Sequence, residues 1–355
     1  MGITLLWKET LLGLVRPDWA VEPVTQRSVD LVTVGGLTVD NVIAADGRVG
    51  LGQAGGNGAY SAVGARISGG QVGLVSHAVA SYPRAVIRRL EHAGIDLSGV
   101  IWSEELLSAC NWFIYEPDGR REERLQSSPE ALAEAGFPTD RLKPEQVVAF
   151  RKLLMQRDTS GEISYSQFRL SRPLCPEQVP PHFLKARGVH LAPSQPEVME
   201  AMLALFAPTE ALVTADPGWQ LAAHPLDRLS SILGRLDAFL PSEVELSALV
   251  PGARPAQGLA VLAKHCLGAV AVKLGPEGVL VWDRATASAI AVPAVPTRTV
   301  DPTGAGDAFC GGFLAGLVES RDAVLAARAG ARAASKVVAA FGADGALSLM
   351  PDTHL

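Results

Sequence analysis

The sequence is short of the features that mark several protein classes. It has only four cysteines, Cys110, Cys175, Cys266 and Cys310. They lie far apart and form no CxxC pair, so neither a disulfide framework nor a thiolate zinc site is signalled, and a reduced cytoplasm fits. Basic residues are outnumbered, 31 against 37 acidic, for a net charge of −6. That balance argues against a nucleic-acid surface and leaves small-molecule chemistry. No run of about 18 uncharged apolar residues occurs, so no membrane-spanning helix and no membrane partner is expected. The apolar start Ile3–Trp7 is cut off by Lys8 and Glu9 and is too short for a secretion signal. A GxxxxGK[ST] run is absent, which excludes a P-loop nucleotide site. His77 and His92 are isolated, without the spacing of metal ligands.

What is present is an apolar chain of 355 residues, 48% hydrophobic, with 35 glycines and 24 prolines. That is enough for a large buried core with many turns. Buried-strand patterns stand at Val29–Val34, Gln71–Ala80, Gly188–Leu191, Leu212–Asp216 and Ala269–Leu274. Helical patterns alternate with them, at Pro83–Ala93 and at Arg321–Phe341, the second ending at Gly342. Ala109–Tyr115, the turn Glu116–Gly119 and Arg120–Leu125 read as a hairpin. The alternation predicts an α/β fold with a doubly wound, mostly parallel sheet. Residues 1–28 read as an N-terminal extension, 29–355 as one domain and 127–180 as an irregular insertion containing a helix over 141–156.

The chain is organised around TVDPTGAGDAFCGGFLAGL, Thr299 to Leu317. A β-branched run, Val295–Val300, meets the turn Asp301-Pro302-Thr303-Gly304-Ala305-Gly306, and a small apolar helix starts near Asp307. Glycines at 304 and 306 let the backbone turn its N–H groups into one concavity. A helix N-terminus behind them favours an anion. Asp307 could be an ordinary first-turn acid, worth a few tenths of a kcal/mol. It could equally be a base fixed beside an anion cradle, an arrangement suited to phosphoryl transfer to an alcohol.

DPTGAGDAFCGGF is similar to the C-terminal signature D-T/P-T-G-A-G-D-x-F-x-x-G-F of the ribokinase-like (PfkB) carbohydrate kinases. The resemblance extends over roughly residues 29–125 and 185–345. It implies an ATP-dependent kinase acting on a hydroxyl of a sugar, sugar acid or nucleoside, with Mg²⁺, and a small β lid built from about 36–56 and 108–126. Asp307 resembles the catalytic base, ionised at neutral pH if its pKa is the ordinary value of about 4. Gly304, Ala305 and Gly306 resemble the anion hole. Gly55-Gly56-Asn57-Gly58-Ala59-Tyr60 resembles the first signature, GGxxxNxAxxLAxLG, with Tyr60 where most members carry a sugar-binding Asn. Asn57 is the candidate to supply that amide. A Tyr-bearing version of this signature is similar to a divergent subgroup. Asp40 matches the Asp that binds substrate hydroxyls, and Trp112 and Arg121 on the hairpin are candidates to face the substrate. Lys273, Gly275 and Gly278 border the nucleotide phosphates in the K-x-G-x-x-G form of the family turn. Asp216-Pro217-Gly218 resembles the D-P-N motif. Ser242 replaces the Asn of N-x-x-E, while Glu245 keeps the acid that orders the water shell of Mg²⁺. In some members the aspartate matching Asp301 helps hold a monovalent cation, which makes potassium a candidate activator. Lid-mediated homodimers are known in the family, so a homodimer through the lid is a candidate assembly.

Other readings attach to single features. Gly50–Gly55 contains a literal GxGxxG, but no acid follows between Asp46 and Glu91, and no clear strand precedes it. Gln156–Phe168 echoes an EF-hand loop with glutamine at both the first and twelfth positions, which argues against calcium. Tyr60 and Ser242 also leave a non-catalytic, ligand-binding member of the family as an alternative.

Overall fold

The computed structural model describes residues 28–123, 131–156 and 163–349. Most of the N-terminal extension, the end of the hairpin's second strand and residues 157–162 of the EF-hand-like loop lie outside the described residues. Thirteen strands form two sheets. They are β1 (Leu31–Val34), β2 (Thr38–Ile43), β3 (Val49–Gly55), β4 (Val72–Val79), β5 (Ile95–Ser103), β6 (Cys110–Tyr115) and β7 (Arg121–Glu123). The second half of the chain adds β8 (Gly188–Leu191), β9 (Leu212–Ala215), β10 (Ala238–Phe239), β11 (Ala269–Lys273), β12 (Val279–Asp283) and β13 (Ser288–Val292).

The larger sheet has the order β13-β12-β11-β10-β9-β8-β1-β4-β5. It is parallel from β11 to β5, with antiparallel strands only at the β12–β13 edge. Covered by helices on both faces, β1, β4 and β8 are buried along their whole length, which explains their continuous apolar runs. The chain leaves β1 for β4 on one side and returns to β8 on the other, so strand order reverses there. In open α/β sheets, the crevice beyond the carboxyl ends at such a reversal is the binding position. The smaller sheet has the order β3-β2-β6-β7.

The helices are α1 (Asn57–Ile67), α2 (Arg84–His92), α3 (Ala131–Glu134), α4 (Pro144–Gln156), α5 (Tyr165–Ser171), α6 (Pro196–Phe206) and α7 (Gly218–Ala222). They continue with α8 (Ser230–Leu233), α9 (Glu243–Leu249), α10 (Pro255–His265), α11 (Ala305–Ser320), α12 (Ala323–Val337) and α13 (Gly342–Leu347). Helices α1 and α11 pack almost backbone to backbone. A Cβ at Gly64 would sit 2.1 Å from the Ala308 carbonyl oxygen, and one at Gly311 1.8 Å from that of Ser61. The small residues of both glycine-rich signatures are therefore what brings the two helix N-termini together.

Several expectations are corrected. Residues 127–180 are not irregular where they are described: α3, α4 and α5 occupy them, and α4 begins at Pro144 rather than 141. The β-branched run 295–300 forms no strand; the last strand ends at Val292, because the prolines at 293 and 296 cannot donate to a ladder. The final helix stops at Val337, and Gly342, at φ +66°, opens α13 instead of ending α12.

Candidate active site

Gly304 caps α11 in the left-handed region, at φ +72°. A Cβ there would lie 2.2 Å from the Tyr60 ring. Only glycine fits, for both torsion and space. The turn is held by Asp301, whose Oδ1 accepts from Thr303 N–H (2.9 Å) and Oδ2 from Gly342 N–H (3.4 Å). The Ala305 N–H bonds the Pro302 carbonyl at 3.3 Å. Among the described residues the N–H groups of Gly304, Gly306 and Asp307 meet no protein acceptor. The free donors at this helix start are thus Gly304, Gly306 and Asp307, with Ala305 largely engaged, an arrangement that can accept an anion.

Asp307 stands third in the helix, beside those amides. Burial pushes its carboxyl up to about 7; the negative charges of Asp216 and Glu245 add to the rise, and Lys273 and Arg121 oppose it. The expectation of an ordinary aspartate near 4 is therefore corrected. At neutral pH about half of the free groups are ionised.

Lys273, ending β11, ion-pairs with Asp216, which follows β9. Its Nζ also lies 3.5 Å from Cys310 Sγ, itself 3.5 Å from Asp216 Oδ2. The Asp216 charge raises the lysine pKa against burial, so Lys273 stays a cation. Glu245 forms a capping box at the start of α9: its Oε2 accepts from Ser242 N–H (2.6 Å) and Oγ (2.8 Å). Ser242, in place of the family Asn, is therefore the N-cap. Burial, then Asp216, raises the Glu245 pKa. Asp216 pairs with this ammonium, and the Glu245 and Asp307 carboxyls lie near enough to feel its charge. Among the described residues no three such groups form a metal cage. Magnesium would then be held through water and nucleotide phosphates, its usual habit.

A cavity of about 530 Å³ opens on one side of Gly306. Lys273, Gly275 and Gly278 line it, as the family turn implies, together with Val295–Thr297, Phe309, Ala334 and Val338. The 294–299 wall was missed from sequence because its β-branched residues read as a strand.

On the other side of Gly304 lies a second crevice. Asp40 on β2 is buried over Gly55, where a Cβ would fall 2.0 Å from its Cγ. Thr38 Oγ1 donates to Asp40 Oδ1 at 2.9 Å. Burial raises the Asp40 carboxyl to about 7, with Asp301 adding to it. The Tyr60 hydroxyl is buried beside Asp40, and its proton is held more tightly by burial and by the nearby Asp40 and Asp301 charges. Gly56, at φ +93°, packs on the Gly36 carbonyl, which a Cβ would approach to 2.5 Å.

Two expectations for this crevice change. Asn57 does not offer its amide: Oδ1 accepts from Gly36 N–H, and Nδ2 donates to the Pro193 carbonyl at 2.9 Å. Trp112 faces away from it. It is fully buried, edge-on to Phe150 at 5.1 Å, on the sheet face covered by α3 and α4. Its neighbours Phe113 and Tyr115 point the opposite way, and the Tyr115 and Thr303 hydroxyls hydrogen-bond at 2.8 Å. Arg121 lies on that site-facing side, over the Phe113 ring and close enough to Asp307 and Asp301 for its charge to oppose the rise of both pKa values.

Comparison with known proteins agrees with this arrangement. The profile of the pfkB family carbohydrate kinases matches residues 176–349. The cytidine kinase of Thermococcus kodakarensis is 28% identical over 320 residues, covering 88% of this chain and 98% of its own. An E. coli protein assigned as ribokinase II, in complex with ATP and Mg²⁺, superposes with a TM-score of 0.63 at 19% identity, over 90% of this chain and 96% of its own. The nucleoside kinase of Methanocaldococcus jannaschii superposes with a TM-score of 0.60 at 20% identity, over 90% of this chain and 95% of its own. The two superpositions speak to the fold, and the profile over about half of the chain and the near full-length relative make the chain similar to the ribokinase-like (PfkB) family.

Proposed function

We propose that the protein transfers the γ-phosphoryl group of ATP to a hydroxyl of a sugar or sugar derivative, with Asp307 as general base. One observation carries this reading. Asp307 stands beside free helix-terminal amides, between an apolar cavity of nucleotide size and the Asp40 crevice. The adenine would occupy the cavity between α12 and the Gly275–Gly278 turn, with Lys273 next to the phosphates. Asp40, hydrogen-bonded by Thr38, would hold acceptor hydroxyls. Asp307 takes the hydroxyl proton as the new O–P bond forms, and the bond to the β-phosphate oxygen breaks to release ADP. A base poised near 7 matches neutral pH. The Gly304 and Gly306 amides, with Asp307 N–H, stabilise charge on the moving phosphoryl group. Magnesium, when bound near Glu245, supplies charge neutralisation at the β and γ oxygens.

The smaller sheet acts as a lid, latched at rest by Tyr115 on Thr303 and excluding water from the transfer. Potassium dependence is a finer element. Asp301 is buried, with the Thr303 and Gly342 N–H groups and the Thr303 side chain as neutral partners, so a monovalent cation beside it would compensate its charge; rates in potassium against tetramethylammonium chloride test this. A homodimer through the lid would have to use the open edge β7, since α3 and α4 cover the sheet's outer face; light scattering tests it. A cytoplasmic location agrees with four free cysteines and with the ATP supply there.

The test is ADP release from Mg-ATP across pentoses, ketohexoses, sugar acids and nucleosides, with Asp307→Asn alongside. An acceptor-dependent rate that falls on the order of 10²–10⁴-fold in the mutant is expected. A mutant of near-normal rate would exclude Asp307 as the base. A nucleoside acceptor is the second reading, favoured by the near full-length match to a cytidine kinase.

A further inference from the structure

The acceptor crevice contains one group that no step above uses. Arg169 projects from α5, in the part of the chain that least resembles the family. A capping box between Ser164 and Gln167 starts that helix. Tyr165 and Phe168 are buried beneath it, stacked at 5.7 Å, and Tyr165 Oη donates to the His77 carbonyl at 2.7 Å. These anchors fix α5, and Arg169, one turn on from Tyr165, is directed inward. Its guanidinium lies against Gly36. A Cβ at Gly36 would fall 2.4 Å from Nη1 and 2.9 Å from Cζ, so the missing side chain is what admits it.

Gly36 belongs to the floor of the crevice. It follows β1 at the reversal of strand order, its carbonyl touches Gly56, and Gly55 beside it lies under Asp40. One continuous floor therefore joins Arg169 to Asp40. The two ends differ in charge. Asp40, Asp301 and Asp307 make one end acidic. At the other, the Arg169 guanidinium has no carboxylate partner among the described residues. Its ionisable neighbours there, besides the Tyr165 phenol that burial pushes up to about 12 and keeps neutral, are His77 and Arg172. Burial, then Arg169 and Arg172, lowers the His77 pKa to about 4, so this imidazole is neutral. Arg172 is already paired with Glu105 and stacked over Phe168 at 5.0 Å. Neither compensates Arg169, and burial draws the Arg169 pKa below the usual arginine value.

An enclosed guanidinium without a counter-charge is costly, and proteins normally pair such groups. Its planar fork matches a carboxylate or phosphate with two parallel hydrogen bonds. We propose that Arg169 recognises an anionic group on the acceptor, a carboxylate or phosphate monoester, at the end opposite the hydroxyl presented to Asp307. This inference rests on the kinase reading for its second half, and it selects among the sugar, sugar-acid and nucleoside acceptors left open above.

The test compares matched pairs, D-gluconate with D-glucose and D-ribose 5-phosphate with D-ribose, and cytidine as a neutral nucleoside. Wild type and Arg169→Gln are assayed for kcat/KM with Mg-ATP, and for the shift in melting temperature that each compound gives without ATP. In the wild type the charged member of one pair is preferred, and that ratio falls by about 10- to 100-fold in Arg169→Gln. A ratio taken within one variant is insensitive to its stability. Gluconate giving the effect assigns a carboxylate; ribose 5-phosphate assigns a phosphate. Anion-dependent stabilisation that Arg169→Gln abolishes, without turnover of any compound, supports the anion subsite while removing the kinase reading. Preferred turnover of cytidine or a neutral sugar, or charged-to-neutral ratios equal in the two variants, overturns the inference. So does the absence of stabilisation and turnover by every anion.

Discussion

The Asp307 carboxyl titrates near neutrality in the free enzyme, and this fixes both how the rate and how the stability change with pH. Its pKa is raised from 3.8 to about 7. A shift of about 3 units corresponds to roughly 4 kcal/mol between the two protonation states. A base must be ionised, so kcat/KM should fall tenfold per unit below pH 7, stand about tenfold below its plateau at pH 6, and level off above pH 8. An ordinary aspartate would leave the profile flat from pH 6 to 8. The limb in kcat/KM reports the free enzyme and the limb in kcat the loaded complex, so kcat/KM is the profile that tests this value.

The same shift has a stability consequence, with a definite sign. A carboxyl whose folded pKa is raised stabilises the fold below its unfolded pKa, and that contribution is lost as pH rises through the folded pKa. Wild type is therefore penalised progressively from about pH 4 to pH 7, and Asp307→Asn escapes the penalty. The mutant's advantage in unfolding free energy should grow by about 3 kcal/mol between pH 4.5 and pH 8. Asp40, also raised to about 7, titrates in the same window. The mutant-minus-wild-type difference in urea unfolding at the two pH values assigns the effect to Asp307. An advantage independent of pH, or a kcat/KM limb below pH 5, would refute the argument that burial and the Asp216 and Glu245 charges set this group.

Three further substitutions probe the site's construction. Gly304→Ala must hold a non-glycine residue at φ +72° against the Tyr60 ring; the torsion alone costs about 1–2 kcal/mol, and steady-state kinetics should show kcat reduced on the order of 100-fold with a lower melting temperature. Lys273→Met leaves the buried Asp216 carboxylate unpaired, which should cost about 3–5 kcal/mol in denaturant unfolding and raise the KM for Mg-ATP. Trp112→Ala removes the packing on Phe150, for a loss of about 3–5 kcal/mol, while the acceptor KM stays within about twofold; a large rise in that KM would return Trp112 to the substrate face.

What could be read from sequence is what depends on local chemistry. The turn before α11 was legible because its glycines, proline and acid sit within a few consecutive residues, and the strands β4, β8, β9 and β11 because burial on both faces writes an unbroken apolar run. Trp112 was misplaced because strand periodicity says that 112 and 113 face opposite ways but not which face is covered; α3 and α4, from a segment with no recognisable signature, decide it. Asn57 was assigned to substrate because nothing local reveals that Gly36 and Pro193, 21 and 136 residues away, take both ends of its amide. The Lys273–Asp216 pair is likewise invisible before β10 is known to lie between β9 and β11. The Asp307 pKa is the sharpest case. Its own residue type predicts a value near 4, and the value near 7 comes from burial and two carboxylates more than 60 residues distant in sequence. Arg169 left only a faint trace, a basic residue one turn after Tyr165 in a helix that buries Tyr165 and Phe168. The general features of a kinase are thus written in contiguous motifs, whereas the groups that would discriminate one acceptor from another are assembled by tertiary contact from the least family-like part of the chain.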